Sequence, residues 1–338
     1  MPNLKEIRNR IASVKNTQKI TSAMKMVSAA KLRRAQESAE RARPYAVKMN
    51  QVIAGLATRV DPTLHPLLQQ RDVQDNALLI IVSSNRGLCG GYNSNLFRSV
   101  ERFVRDREHS GLTFQVVPTG RKSQVYFRKS RLEVPREFPD VIGNVSYAKA
   151  KEIARFAIDG FTSGEYDNVY LVYNNFISAI AYETQIEPLL PLSVDELESE
   201  DVDAEAVSEY IFEPDEAALL AQMLPAHVEV KVLHALLEAE ASEHAARMTA
   251  MDNATNNAND MIDSLTLQYN RARQAYITKE LVEIVSGAEA LEAAAGAGDA
   301  QLDGDVGLDG RVLLADGVGQ GGDGGRPVDG DAAGQRLT

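Results

Sequence analysis

The sequence predicts an α+α/β chain in which long N- and C-terminal helices form an antiparallel coiled coil and an α/β domain is inserted between them. Three observations predict it. Neither Gly nor Pro interrupts residues 3–43, enough for one helix of roughly 60 Å. Neither interrupts residues 226–286, a helix of about 90 Å. Between the two, short apolar runs alternate with helical stretches, the grammar of a mostly parallel sheet covered by helices.

The first helix is expected over residues 1–59. Leu4, Ile7, Ile11 and Val14 follow three-and-four spacing, and Ile20, Met24 and Val27 resume it after a shift of frame. The segment carries thirteen Lys or Arg against three Asp or Glu, in a chain of net charge -12. A linker over 60–74 is marked by Asp61, Pro62, His65 and Pro66.

The α/β domain is expected over 75–192. Residues 77–83, 114–118 and 168–176 read as buried strands, with helices around 94–107, 121–129 and 147–161. The succession suits a Rossmann-like sheet. The segment YETQIEPLLP adds an edge strand, because Pro188 and Pro191 have no place in a central one. An acidic excursion over 193–209 follows.

The C-terminal helix is expected over 210–291. Val230, His234, Leu237, Ala241, His244, Met248, Met251, Thr255, Ala258, Ile262, Leu265, Tyr269, Ala272 and Tyr276 alternate strictly by four and three. That is the seam of a left-handed coiled coil. The seam is thin, since Ala, His and Thr bury little apolar area. Residues 292–338 are rich in Gly and Asp and too poor in apolar side chains to offset ordering entropy, so a disordered tail is expected there.

The motifs exclude more than they assign. The turn SSNRGLCGGYN, with Gly87, Cys89, Gly90 and Gly91, follows a strand and precedes a helix. It matches neither G-x-G-x-x-G nor a P-loop, and a structural turn is the expectation. His234 and His244 lie ten residues apart with no metal-binding spacing, so they read as polar seam residues. No catalytic constellation assembles, and neither a cofactor nor a metal is expected. A basic rod calls for an acidic partner. Nucleic acid suits the charge but not the scarcity of aromatics, which in this segment is Tyr45 alone. The single Cys89, the charged start and the lack of a long apolar run lead to the expectation of a bacterial cytosolic chain.

Four blocks carry a resemblance: KEIRNRIASVKNTQKITSAMKMVSAAKLRRAQ, SSNRGLCGGYN, EYIFEPDEAALL and the run from EASEHAARMTAMDNATNNAND to EIVSGAEAL. Together they resemble the gamma subunit of F-type ATP synthase over residues 1–291. The resemblance implies a rotor within a ring of α and β subunits, joined to the epsilon subunit and the c-ring. It would lie on the cytoplasmic face of the bacterial inner membrane, held there only through the complex. It implies contacts with β for Met24, Lys25, Glu243, Arg247, Gln274 and Thr278, those of the N-terminal helix meeting an acidic DELSEED loop. It places Tyr210, Phe212 and Glu213 against the c-ring and epsilon. Catalysis would belong to the neighbours, and proton flow would reach them as rotation. The family pattern ends near residue 291, and the remaining 47 residues are expected to be passive.

Overall fold

The computed structural model describes residues 4–57, 65–71, 74–108, 111–193 and 215–299. The chain divides into two compact units, Met1–Gln274 and Ala275–Thr338. Tyr210, Phe212 and Glu213, the excursion beyond residue 193 and the tail beyond residue 299 lie outside the described residues.

Helix α1 runs from Leu4 to Ala57 with Pro44 inside it, and a 3-10 turn follows at Pro66–Leu68. Strand β1 (Asn76–Ile81) leads to α2 (Tyr92–Glu108), β2 (Thr113–Pro118), α3 (Arg121–Phe127) and α4 (Tyr147–Ser163). The hairpin β3 (Asn168–Ser178) and β4 (Ala181–Leu190) completes the sheet, and α5 spans Glu216–Asp299 with Pro225 inside it. The tail expected from residue 292 is therefore helical as far as Asp299.

Strand order is β2-β1-β3-β4, with β1 parallel to both β2 and β3 and with β4 antiparallel at the edge. A buried parallel strand needs apolar side chains on both faces, and Ala77 to Ile81 supply them. Alternation then sorts them by face. Leu78, Ile80 and Val82 join a core with α4, the last turns of α1 (Met49, Ile53, Leu56) and the first half of α5 (Leu224, Val228, Val232, Leu236). Ala77, Leu79 and Ile81 face the opposite way, onto Leu96, Phe97, Val100 and Val104 of α2 and Phe127 of α3. Both long helices are thus rooted in one face of the sheet.

Local signals fix the boundaries. The Ser146 side chain accepts from the Lys149 N–H to cap α4, and Gly164 ends it at φ 88°, a left-handed conformation that costs glycine little. Gly120 is required for space: a Cβ there would lie 2.2 Å from the Ser83 carbonyl oxygen.

Candidate functional site

The candidate site is the stretch where α1 and α5 run together, with the glycine turn docked on its base. Four side-chain contacts set the register. Arg8 Nη2 donates to the Tyr269 hydroxyl at 2.8 Å, Gln18 Nε2 to Asn259 Oδ1 at 2.6 Å and Lys25 Nζ to Asp252 Oδ1 at 2.6 Å, while the Thr21 and Thr255 hydroxyls meet at 2.8 Å. Each step forward on α1 is a step back on α5, so the helices run antiparallel. Leu32 and Ala35 continue the register against Ala241 and Ala245.

The frame shift expected in α1 does not occur. Burial follows Leu4, Ile7, Ile11, Val14, Gln18, Thr21, Lys25, Ser28, Leu32 and Ala35 in one unbroken alternation of three and four. Ile20 and Val27 face solvent at 60% and 56% exposure. The inner positions in between are polar, and their side chains bond across to α5 or back to their own helix, as Ser28 does to the Met24 carbonyl at 2.8 Å. Bonding to α5 substitutes for apolar burial there.

On α5, from Met251 to Ala272, the expected seam residues are the buried or half-buried ones of each turn. His234 departs from the pattern. It is exposed, with Glu238 at 3.7 Å, because α5 at that level turns Val232, Leu236 and Ala239 to the sheet.

The glycine turn rests against α5. Leu88 and Gly90 adopt positive φ, 64° and 58°, and Leu88 projects into solvent. Arg247 Nη2 binds Glu243 Oε1 at 2.6 Å and donates to the carbonyls of Gly87 at 3.3 Å and Arg86 at 3.4 Å. The side chains of Glu243 and Arg247 are 6% and 9% exposed, so in the folded chain both face the turn and not solvent.

Burial pushes the Glu243 carboxyl above its usual range, opposed by Arg247, Lys31 and Arg86. Burial likewise raises Glu240, helped by Glu243. It pushes His244 down to about 4, with Arg247 and Lys31 adding to the effect. Cys89 is buried, its thiol raised by burial, and Asn93 Nδ2 donates to its sulfur at 3.4 Å.

In open α/β sheets ligands enter where the connections diverge, at the carboxyl end of the central strand. Here that crevice is filled from within: the Tyr92 hydroxyl donates to the Ala239 carbonyl at 3.0 Å, and Asn85 Nδ2 to the Ile142 carbonyl at 2.6 Å. The turn therefore packs the sheet against α5.

Of the other expected contact residues, Met24 is half-buried beside the paired Lys25, and Gln274 and Thr278 are exposed. The polar contributors Gln18, Thr21, Asp252 and Asn259 were not singled out by apolar spacing. An uninterrupted three-and-four count from Leu4, carried through polar positions, is the signal that would have located Gln18 and Thr21. Apart from Lys25, every Lys and Arg of α1 is exposed. In the second unit Tyr276, Ile277, Leu281, Val282, Ile284, Val285 and Leu291 are exposed on the helix. Among the described residues no helix is long and apolar enough to cross a membrane.

A family model described as ATP synthase matches residues 3–291. The ATP synthase gamma chain of Geobacter metallireducens is 49% identical over 292 residues, covering 86% of this chain and 100% of that one. The chain belongs to the ATP synthase gamma-chain family. The gamma chain of Geotalea uraniireducens is likewise 49% identical over 292 residues, with the same coverage of 86% and 100%. Among solved structures, the central stalk and c-ring structure of Tetrahymena thermophila mitochondrial ATP synthase has a chain 28% identical, at TM-score 0.52, covering 70% of this chain and 99% of that one. A Euglena gracilis mitochondrial ATP synthase chain shares the fold at TM-score 0.57 and 21% identity, covering 92% and 99%. Residues 292–338 lie beyond the gamma-family match.

Proposed function

We propose that this chain is the asymmetric central shaft of a proton-transporting ATP synthase, coupling rotation of a c-ring to conformational change at catalytic β subunits. The observation that carries the proposal is the antiparallel pair of α1 and α5, rooted in a sheet domain and holding its own members together by polar bonds. A lopsided rod inside a pseudo-threefold ring meets each of three equivalent subunits differently and biases each toward a different state. Rotation then exchanges the biases.

Two surface features support a surrounding sleeve. The exposed cations of α1 attract acidic loops over a distance that outlasts any one contact, so the attraction persists as the shaft turns. The apolar side chains of the second unit want cover that its own helix does not give. The rod forms a coiled coil, the inserted domain is Rossmann-like, and the expected partners are α and β subunits, epsilon and the c-ring. Met24, Lys25, Gln274 and Thr278 would meet β, and Tyr210, Phe212 and Glu213 the c-ring or epsilon. Glu243 and Arg247 hold the glycine turn with Gly87, Cys89, Gly90 and Gly91. Bond making and breaking on ATP belongs to the neighbours, and membrane association on the cytoplasmic face comes only through the complex.

The test is purification from bacterial membranes, followed by paired assays of ATP hydrolysis and proton pumping in vesicles. Copurification with the named subunits in fixed stoichiometry, with pumping that depends on this chain, is the expected result. A chain recovered alone, or bound to nucleic acid in a salt-dependent manner, would contradict it.

A further inference from the structure

Rooting the helices in the sheet does not by itself stop α5 from turning about its own axis where it leaves the domain. At that level it presents Ala241, Ala245, Ala246 and Ala250, small side chains that interlock weakly. What holds it there is directional. The Phe176 N–H donates to Glu238 Oε2 at 3.2 Å, and the Tyr92 hydroxyl to the Ala239 carbonyl at 3.0 Å. Arg247 donates to the Arg86 and Gly87 carbonyls at 3.4 and 3.3 Å, and the Thr249 hydroxyl to the Ala179 carbonyl at 3.2 Å. Each bond has a main-chain atom at one end, which no rotamer change can swing away.

The bonds come from two loops that flank the helix: the glycine turn and the tip of the β3–β4 hairpin. Both line one cavity of about 180 Å³ with Ala245, Ala246 and Thr249. Glu243, its Oε1 on Arg247 and its Oε2 buried without a partner among the described residues, fixes the direction of the guanidinium. Further along α5, the bonds that leave the helix at Asp252, Thr255, Asn259 and Tyr269 reach α1.

We propose that residues 238–249 of α5, gripped by these two loops, are the clamp through which torque passes between the sheet domain and the helix pair, with Arg247 and Thr249 as its positioning residues. The proposal rests on the shaft reading above. It separates two parts of the chain mechanically. Below Thr249 the helix turns with the sheet, and above it the thin polar seam carries the twist.

The experiment uses the assembled complex in vesicles, with ATP hydrolysis and proton pumping measured together. The double variant R247M/T249V is expected to keep hydrolysis and lose pumping per ATP. A covalent staple should restore it: a Cβ on Gly90 would lie 3.8 Å from the Ala250 Cβ, within disulfide range. Adding G90C and A250C, with C89S to prevent mispairing, gives a clamp that oxidation closes and reductant opens. The reduced protein is the reference, because Gly90→Cys carries left-handed strain. Oxidation is expected to return pumping to R247M/T249V, and an oxidised staple that fails to do so overturns the clamp. The staple in a chain with Arg247 and Thr249 intact needs no weakening substitution. There oxidation should leave turnover unchanged, and a block overturns the proposal, since a clamp does not open. Unaltered pumping in R247M/T249V also overturns it. Absence of coupling in the unsubstituted complex would instead reject the shaft reading itself.

Discussion

Replacing Arg247 by Met removes the cation from a buried pair and leaves Glu243 facing the glycine turn alone. The two side chains are 9% and 6% exposed and 2.6 Å apart, so solvent screens neither. Breaking such a pair costs about 3–5 kcal/mol, because the buried carboxylate loses its hydrogen-bonded counter-charge and keeps only the unbonded attraction of Lys31 and Arg86. A chain of ordinary stability, about 5–15 kcal/mol, would lose a large share of it. The double variant E243Q/R247M should recover most of the loss, since removing both charges removes the penalty.

The pH dependence has a definite sign. Burial raises the Glu243 carboxyl above its unfolded value of 4.5. A raised group contributes stability that is fully present below that unfolded value and is lost as pH rises through the folded one. Without Arg247 the carboxyl rises further, so the deficit of R247M is largest at neutral pH and shrinks on acidification. Urea unfolding followed by circular dichroism at stepped pH measures this. A neutral-pH cost below about 1 kcal/mol, or a double variant no better than the single, would show that the buried pair does not carry this stability.

Three further outcomes are expected. Gly120→Ala drives a Cβ to 2.2 Å from the Ser83 carbonyl oxygen and should cost about 3 kcal/mol or more, read as a fall in urea midpoint; an unchanged midpoint contradicts it. His227 and His244 are each pushed down to about 4, mainly by burial. A depressed histidine gives stability above 6.5 that is lost as pH falls toward 4, roughly 3 kcal/mol each, opposed by the raised Glu240 and Glu243. H227M should therefore flatten the stability profile between those values, and an equally steep profile would count against it. Thr21→Val or Thr255→Val alone should lower the melting temperature, each by the equivalent of about 1 kcal/mol. The pair T21V/T255V, an apolar match on both helices, should melt at or above the parent; a double variant worse than the sum of the singles would be wrong for this seam.

Much of the fold is legible in residue patterns, for physical reasons. Ala77 to Ile81 declare a strand buried on both faces, and Pro188 and Pro191 an edge. The long helices are announced by absent Gly and Pro, and α5 shows its seam from Met251 to Ala272 because apolar or small residues fill it. The α1 seam is hidden at Gln18, Thr21 and Lys25, where pairing runs through polar bonds whose partners are some 230 residues away, and at Ser28, which bonds back to its own helix. Ile20 and Val27 compound this, being apolar residues on the outer face. Glu243 and Arg247 are recognisable as an i, i+4 pair, but only the folded glycine turn shows which way they point. His234 fails for a similar reason, since the sheet and not α1 decides the buried face of α5 at that height.

The most direct test of the shaft account is rotation itself. A probe attached at exposed Arg102 on α2, through Arg102→Cys in a C89S chain, would report on the sheet domain of complexes fixed by their catalytic ring. Under ATP the probe should turn in one direction, in step with hydrolysis. Steady hydrolysis with a stationary probe would contradict it.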